Sequence, residues 1–231
     1  MGERVGFEFI IFDLDDTLYP RGSGVMEEIG RRIQFWVRDR LDLTGDEATE
    51  LRQRYLRQYG TTMAGLMTEH DVDVDEYLSF VHDLPVDEYL DPDSELGEVL
   101  AGISLRKVVY THATSEHGLA VLRALGVAHH FEKIIGIRDV GLCNKTSRKA
   151  YRRLLALLEA EPEACIMVED SARNLPAAKA LGLTTILIEA HQAGSSAAAP
   201  DPSIDFVVHS VREVGRVVDR ILGTDGRGRD D

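Results

Sequence analysis

Apolar and polar positions follow one another along this chain in a pattern that predicts strands and helices in turn. Three segments have helical periodicity, Glu116 to Leu125, Ser147 to Glu159 and Ala172 to Leu181, and a last helix is predicted near Val211 to Leu222. Short apolar runs of strand character lie between such segments: Phe7 to Phe12, Lys107 to Thr111, Lys133 to Ile137, Cys165 to Val168, Thr184 to Ile188 and Phe206 to Val208. Strands that alternate with helices predict a parallel sheet covered on both faces.

One interval breaks this alternation, because the pattern from about Met26 to about Leu100 is helical and contains no convincing strand. It is predicted to be an inserted helical bundle, whose aromatic residues belong to its core more often than to a ligand site. The helices are indicated by Ile29-Ile33-Trp36-Val37, by Leu51-Tyr55-Leu56-Tyr59, and by the segments Thr62 to His70 and Val74 to Val81.

The predicted fold is therefore α/β, with a Rossmann-like doubly wound parallel sheet and a helical-bundle cap inserted after the first strand. The predicted limits are residues 1–20 and 101–222 for the core and 21–100 for the cap. His191 to Pro202 is predicted to be a loop, and residues 223–231 a disordered tail. Ligands of such sheets bind beyond the carboxyl ends of the strands, so the residues that follow each strand are the candidates for chemistry.

Charge narrows the range of partners. The 231 residues carry a formal net charge of −14 at pH 7, which disfavours polymeric nucleic acid and anionic membrane surfaces. A small phosphorylated metabolite remains compatible if a metal ion and a few cationic side chains reverse the field locally. With no positive stretch before a long apolar segment at the N-terminus, we expect a cytoplasmic protein, either monomer or homodimer. Cys143 and Cys165 are too few for a disulfide framework, and neither is expected to be catalytic.

Three carboxylates follow the first predicted strand, those of Asp13, Asp15 and Asp16. Like charges at this spacing raise one another's pKa unless a cation lies among them, which favours a divalent metal ion with oxygen ligands. The alternative is an acidic turn in which one Asp only caps the next helix.

Three later positions also stand at predicted strand ends. Thr111 offers a hydroxyl to a phosphate, Lys145 lies between a strand and a helix, and Glu169-Asp170 places a second pair of carboxylates after a hydrophobic strand. Taken singly, Thr111 fits a helix cap and Lys145 fits a solvated charge. A dicarboxylate, a hydroxyl, a lysine and a second dicarboxylate in this order make chance a poor explanation.

This constellation resembles the four motifs of the haloacid dehalogenase-like superfamily, and the resemblance extends over approximately Phe7 to Ile188. Asp13 to Thr17 match the first motif, Thr111 the second, Lys145 the third and Glu169-Asp170 the fourth. The resemblance implies a Mg²⁺-dependent phosphohydrolase that works through an aspartyl-phosphate intermediate.

The same resemblance implies a role for each matching residue. Asp13 would be the nucleophile, and Asp15 would donate a proton to the leaving group and later take one from water. Mg²⁺ would be held by Asp13, the backbone carbonyl of Asp15 and Asp170, with Glu169 near or among the direct ligands.

Further residues are implied in phosphate binding or in support of the site. Thr111 and Lys145 would bind the phosphate oxygens, and Asn174 would orient Asp170 or its loop, unless it is a solvent-facing helix residue. Two positions depart from the family pattern: His112 stands where Asn is usual, and Thr146 where Pro is usual. We expect His112 to touch the phosphate or the leaving group and Thr146 to loosen the turn that aims Lys145.

A closer resemblance is to the pyrimidine 5′-nucleotidase-like group, which implies pyrimidine nucleoside 5′-monophosphates as substrates. Tyr19, Thr62, His82 and His112 would then lie nearest the leaving group, although each also has a structural explanation. The phrases that carry this resemblance are Phe12 to Pro20, Tyr59 to Leu66, Val81 to Leu84, Phe131-Glu132 and Glu169 to Leu175.

Other functions remain open at this point. A haloacid dehalogenase shares the nucleophile but needs neither metal nor proton donor, so Asp15 and Asp170 favour phosphoryl transfer. A phosphatase of sugar or other small-metabolite phosphates and a phosphomutase share the same motifs. A catalytically idle binding protein is a reading of a different class.

Overall fold

The computed structural model describes residues 6–189 and 201–224. The strands are β1 Phe9–Phe12, β2 Arg106–Tyr110, β3 Lys133–Ile135, β4 Cys165–Glu169, β5 Thr184–Ile188 and β6 Phe206–Val208. The helices are α1 Val25–Arg40, α2 Gly45–Tyr59, α3 Thr62–Glu69, α4 Val74–His82, α5 Ser94–Gly102, α6 Ser115–Ala124, α7 Arg148–Leu158, α8 Leu175–Lys179 and α9 Val214–Leu222. Among the described helices, none is long and apolar enough to cross a membrane.

The six strands form one sheet in the order β3-β2-β1-β4-β5-β6, and every neighbouring pair is parallel. The predicted doubly wound α/β fold is confirmed. In β1, Phe12 pairs with Val109 of β2 and with Val168 of β4, so the carboxyl ends of these three strands lie side by side. Because β1 is central and its neighbours in the sheet come much later in the chain, the switch in strand order falls beside its carboxyl end, where ligands bind in such sheets.

The alternation of side chains in β1 divides the core between the two faces of the sheet. Phe9 and Ile11 pack into a cluster with residues of α7 and α8, whereas Ile10 and Phe12 pack into a second cluster with residues of α5, α6 and α9. All four side chains of β1 are buried, as expected for a central strand covered on both sides. Burial on both faces explains why this strand appears in the sequence as a continuous apolar run.

Helices α1 to α4 lie between β1 and β2 in sequence, within the interval where the pattern contains no strand. Trp36 of α1 meets Tyr77 of α4 edge to face, with ring centroids 5.0 Å apart. Tyr55 of α2 is fully buried and faces Gly65 of α3, where an added Cβ would lie 2.2 Å from the Tyr55 ring. These aromatic residues therefore form the inside of the helical insertion, and glycine at position 65 allows α2 and α3 to approach.

The helical insertion is flanked by Gly24 before α1 and by α5 after α4. Gly24 precedes α1 with φ 99°, and an added Cβ there would lie 2.8 Å from the Tyr89 ring, so both the backbone and the space favour glycine. Helix α5, which the sequence analysis did not single out, contacts α9 and the short turn Val211–Glu213. The division into residues 1–20 with 101–222 and residues 21–100 stays a prediction.

Several predicted boundaries differ slightly from the observed ones. The predicted helices at Ala172 and Val211 each begin with a short 3-10 turn, Ala172–Asn174 and Val211–Glu213, before α8 and α9. Of the predicted loop at 191–202, residues 191–200 lie outside the described residues. Of the predicted tail at 223–231, residues 225–231 also lie outside them, while Gly223 ends α9 in a left-handed conformation.

Candidate active site

The carboxyl ends of β1 and β4 bring two acidic residues together. Asp13 follows β1 directly, and its backbone N–H donates to the carbonyl of Val168 at 2.8 Å, which continues the pairing of the two strands. Glu169 is the last residue of β4, so it lies beside Asp13 across the strand pair. Both residues are almost fully buried.

Lys145 lies between these two carboxylates. Its Nζ donates to Asp13 Oδ1 and, at 3.0 Å, to Glu169 Oε2, and the side chain is completely buried. Burial lowers the pKa of Lys145, but the charges of Asp13 and Glu169 outweigh burial and raise it above its ordinary value. Lys145 is therefore a fixed cation, as phosphate binding requires.

Three hydrogen bonds position the loop before α7, which carries Lys145. The backbone N–H of Lys145 donates to His112 Nε2 at 3.0 Å, just after β2. Asn144 Oδ1 accepts from the Thr146 N–H at 3.1 Å, and Asn144 Nδ2 donates to the carbonyl of Tyr59 in α2 at 3.2 Å. Both departures from the family pattern, His112 and Thr146, thus contribute to the same loop.

The side chain of His112 is an acceptor in this contact and is electrically neutral. Burial, followed by the charges of Lys145 and Arg173, lowers the pKa of His112 to about 3. The structure places His112 against the Lys145 backbone and on the wall of a cavity described below.

The turn after β1 contains Asp13, Asp15 and Asp16 and fixes their orientation. Thr17 Oγ1 donates to Asp13 Oδ2 at 3.0 Å, and the N–H groups of Thr17 and Leu18 both donate to the carbonyl of Leu14. Asp16 takes a left-handed conformation with φ 62°, which Asp tolerates better than most residues. The turn is therefore closed by its own hydrogen bonds and leaves Asp15 facing the open end of the sheet.

Asp15 is surrounded by hydrogen-bond donors. The Tyr19 hydroxyl donates to Asp15 Oδ1 at 2.6 Å, the Thr111 hydroxyl lies 3.4 Å from Oδ2, and His117 Nε2 lies 3.5 Å from Oδ1. Burial raises the pKa of Asp15, but the interactions with His117 and the Tyr19 hydroxyl outweigh it and hold the pKa below its ordinary value. Asp15 is thus held in one orientation by β2, α6 and its own turn.

Two histidines stack above Asp15. His82 ends α4 and its Nδ1 donates to the carbonyl of Leu78 at 2.9 Å, while its ring centroid lies 5.0 Å from that of His117. Burial, and then the charge of His117, lower the pKa of His82 to about 4. The His82 ring therefore has a structural partner in α6, and its position beside the leaving group stays a prediction.

Asn174 and Arg21 each bond one carboxylate at the end of β4. Asn174 Nδ2 donates to Glu169 Oε1 at 2.8 Å, so Asn174 orients Glu169 and not Asp170. The exposed Arg21 donates to Asp170 Oδ2 at 2.5 Å and lies 3.3 Å from Asp16 Oδ2. Burial, followed by the charge of Asp170, raises the pKa of Asp16 to about 6.

The arrangement of Asp13, Glu169 and Asp170 fits a divalent metal ion. One carboxylate oxygen from each lies within 4.8 Å of the other two. Burial and the charge of Glu169 raise the pKa of Asp13 well above its ordinary value, even beside Lys145. One lysine therefore does not balance the buried negative charge, and a cation with hard oxygen ligands would complete the balance. We call Asp13, Lys145, Glu169 and Asp170 the floor of the site.

A cavity of about 360 Å³ is lined by helices α1 to α4 and, on the side of the sheet, by residues that include Asp15, His112 and Asn144. Its walls are mostly apolar, and its polar residues include Asp15, Thr62, His82, His112 and Arg52. We call it the cap cavity. Tyr19, which was expected near the leaving group, lines a separate groove with Arg21.

Sequence reasoning missed three residues near the site, namely Arg21, Arg52 and His117. His117 is buried in α6. The available signal in the sequence was a histidine in the helix that follows the motif threonine, Thr111. Arg21 and Arg52 carried no such signal, because exposed arginines are common in helical and turn segments.

A family comparison agrees with the fold. The profile of haloacid dehalogenase-like hydrolases matches residues 7–182. A protein of Saccharomyces cerevisiae named phosphate metabolism protein 8 is 30% identical over 132 residues, which are 53% of this chain and 41% of that protein. The chain thus matches less than half of the length of this relative.

Solved structures of two different activities share the fold. A HAD phosphatase from Thermococcus onnurineus superposes with a TM-score of 0.62 at 18% identity, over 94% of this chain and 98% of that one. A 2-haloacid dehalogenase from Pseudomonas syringae pv. Tomato DC3000 superposes with a TM-score of 0.59 at 19% identity, over 93% and 99%. At these identities the likeness concerns the fold alone, so the choice of reaction rests on the residues of the site.

Proposed function

Because the chain belongs to the haloacid dehalogenase-like hydrolase family and is a hydrolase, we propose that it is a Mg²⁺-dependent phosphomonoester hydrolase acting through an aspartyl-phosphate on Asp13. The observation that carries the proposal is the cluster of Asp13, Glu169 and Asp170 around one lysine, with Asp15 beside it. A dehalogenase attacks carbon and has no use for a metal site or a proton donor. The combination of both favours attack on phosphorus.

The first half of the reaction would transfer the phosphoryl group to the protein. A carboxylate oxygen of Asp13 forms a bond to phosphorus while the bond from phosphorus to the leaving oxygen breaks, and Asp15 gives its proton to that oxygen. Lys145 and the Thr111 hydroxyl bind the phosphate oxygens. The negative phosphate, arriving beside Asp15, raises its pKa and so supplies the protonated form.

The second half would regenerate Asp13. Asp15, now a carboxylate, takes a proton from water, whose oxygen forms a bond to phosphorus while the bond from phosphorus to the Asp13 oxygen breaks, so that inorganic phosphate leaves and the Asp13 carboxylate is restored. Mg²⁺, when bound, neutralises the charge of the phosphate and of the attacking carboxylate. The residues proposed to hold it are Asp13, Asp170 and the backbone carbonyl of Asp15, with Glu169 beside them.

For the substrate, we propose pyrimidine nucleoside 5′-monophosphates. The cap cavity of about 360 Å³ opens at Asp15, where the leaving group departs, and its apolar walls suit the faces of an aromatic ring. A purine is larger than a pyrimidine, and we propose that the walls of the cap cavity exclude it by overlap.

The reaction class is tested by phosphate release from p-nitrophenyl phosphate. We expect activity with Mg²⁺, loss with EDTA, and inhibition by Ca²⁺, whose looser coordination misplaces the nucleophile. Asp13→Asn is expected to abolish turnover in a folded protein, while Asp91→Asn on an exposed loop is the matched control. Full activity after exhaustive EDTA dialysis, or more than a few per cent residual activity in Asp13→Asn, would contradict the proposal.

The substrate is tested separately by kcat/KM for UMP, CMP, AMP, GMP and ribose 5-phosphate. We expect UMP and CMP to lead. If ribose 5-phosphate exceeds both by about tenfold, a sugar phosphatase is the better assignment, while the phosphohydrolase assignment survives. Appearance of an isomeric phosphate ester without inorganic phosphate would indicate a phosphomutase.

A further inference from the structure

The cap cavity contains an arginine without a charged partner. Arg52 of α2 lines the cavity, and its Nη1 donates to Gln34 Oε1 at 2.9 Å. Its Nε is buried and has no hydrogen-bond acceptor. Among the described residues, no carboxylate lies within salt-bridge distance of Arg52, in contrast to Arg54 two positions later, which pairs with Glu69 at 2.7 Å. Arg52 Nη2 lies opposite Gly30, which lines the same cavity, and among the described residues it has no hydrogen-bond acceptor, so this N–H group is the donor that a ligand could use.

This state is unfavourable without a ligand. Burial lowers the pKa of Arg52, which shows that the charged form loses solvation there. A guanidinium presents five donors in a fixed planar arrangement, and Arg52 uses one of them for Gln34. A ligand that brings an acceptor oxygen to this wall would recover the lost hydrogen bonds.

Space for such a ligand exists because α1 has a glycine opposite Arg52. Gly30 also lines the cavity, and an added Cβ there would meet only Arg52 Nη2, at 3.9 Å. Asp15 lines the same cavity on the side of the sheet. A leaving group that begins at Asp15 can therefore extend between the apolar walls toward α1 and α2.

We propose that Arg52 is a specificity-determining residue that donates to an acceptor oxygen on the leaving group. The inference rests on the proposed nucleotide substrate, for which the acceptor is the carbonyl O2 that UMP and CMP share. The apolar walls contact the faces of the ring, and Arg52 donates a hydrogen bond to the carbonyl oxygen at its edge. The same chemistry would fit a carboxylate on a smaller phosphate ester, so the test includes both sources.

The test compares Arg52→Met with wild type on UMP, CMP, ribose 5-phosphate and 3-phosphoglycerate in the presence of Mg²⁺. Ribose 5-phosphate keeps the phosphate and the sugar but lacks the base. We expect kcat/KM for UMP and CMP to fall by about 10- to 100-fold, mainly through KM, while the value for ribose 5-phosphate stays within about twofold. Arg57→Met, an exposed arginine of the same helix, is the matched control and should change nothing.

Each other outcome has a defined meaning. An unchanged UMP value, or an equal fall on UMP and ribose 5-phosphate, overturns the role of Arg52 in recognition. A loss confined to 3-phosphoglycerate overturns the base as the source of the acceptor. If Arg52→Met does not fold, Arg52→Lys keeps the charge and one donor direction, and is expected to show an intermediate loss on UMP alone. Absence of phosphate release from every ester by wild type would instead refute the proposed function.

Discussion

The floor of the site and the cap cavity above it differ in how completely their charges are paired. In the floor, Lys145 bonds both Asp13 and Glu169, and these three side chains are buried. Glu169 also accepts a hydrogen bond from the buried Asn174. In the cap cavity, the wall is mostly apolar and Arg52 has no acidic partner among the described residues. Under the proposed function, the floor would bind the phosphate of any ester, whereas the cavity is where one ester would be distinguished from another.

The floor and the cap cavity also differ in the elements that hold their residues in place. The floor stands on β1, β4 and the loop before α7, which the sheet register aligns. Most of the wall of the cap cavity comes from helices α1 to α4, which meet through packing contacts such as Tyr55 on Gly65. Changes to the floor should therefore affect every substrate, and changes to the cavity should affect substrates selectively.

The largest expected effect is that of Lys145→Met. It leaves Asp13 and Glu169 as two buried carboxylates without their shared cation, so we expect a loss of about 3–5 kcal/mol in the free energy of unfolding, together with loss of turnover on every ester. Urea unfolding and phosphate release measure the two effects. Lys149→Met, exposed on α7, is the control. A variant as stable as wild type would mean that the carboxylates do not depend on this lysine.

The next largest effect is expected for Asp15→Asn, and its size should depend on the leaving group. Asp15→Asn removes the proton donor, and we expect kcat on ribose 5-phosphate to fall by about 10²- to 10⁴-fold. The fall on p-nitrophenyl phosphate should be much smaller, because nitrophenolate leaves without a proton. Steady-state rates on the two esters provide the comparison. Equal losses on both would argue against acid catalysis by Asp15.

Loosening the cap alone should give a moderate effect on stability. Gly65→Ala places a methyl group within 2.2–2.6 Å of the Tyr55 ring atoms, so α2 and α3 must separate. We expect a destabilisation of about 1–3 kcal/mol, measured by thermal unfolding. Gly45→Ala, with no atom within 4 Å of the added Cβ, is the control and should leave stability nearly unchanged. A Gly65→Ala variant that unfolds with wild type would mean that the two helices can repack freely.

The smallest effect sharpens the comparison inside the cavity. Gly30→Ala adds a methyl group 3.9 Å from Arg52 Nη2, and the helix gains about 1 kcal/mol in propensity over glycine. We expect a decrease of about threefold in kcat/KM for UMP and none for ribose 5-phosphate, since only the longer leaving group reaches this wall. Gly102→Ala, in α5 with open space around it, is the control. Equal decreases on both esters would place the effect in the floor instead.

Many strands and helices could be predicted from the sequence, because buried positions recur along the chain with the period of the element. The predicted strand Thr184 to Ile188 and the predicted strand Phe206 to Val208 match β5 and β6 residue for residue. The prediction placed the last helix from Val211, whereas the chain first makes a 3-10 turn there. Periodicity does not distinguish a 3-10 turn from the first turn of an α-helix, because the first few N–H groups of either lack partners within the helix.

The site was predictable where its residues follow strands and not where they lie on helices. Asp13, Thr111, Lys145 and Glu169 come together, as the order of strand ends predicted. Asn174 was predicted to orient Asp170 or its loop, but its amide bonds Glu169, because the 3-10 turn at Ala172–Asn174 returns it toward the strand. The catalytic and metal-binding roles themselves stay predictions.

The sequence by itself determined the layered architecture and the set of residues at the carboxyl ends of the strands, since both follow from the spacing of apolar residues in the chain. Only the tertiary structure decided that His112 accepts from the Lys145 backbone, that His117 faces Asp15 and that Arg52 lines the cap cavity without an acid. The first relation joins residues 33 positions apart and the second residues 102 positions apart, while the third depends on the absence of an acidic partner among the described residues. Local pattern carries no information about either, because a side chain acquires its neighbours only when helices pack on the sheet.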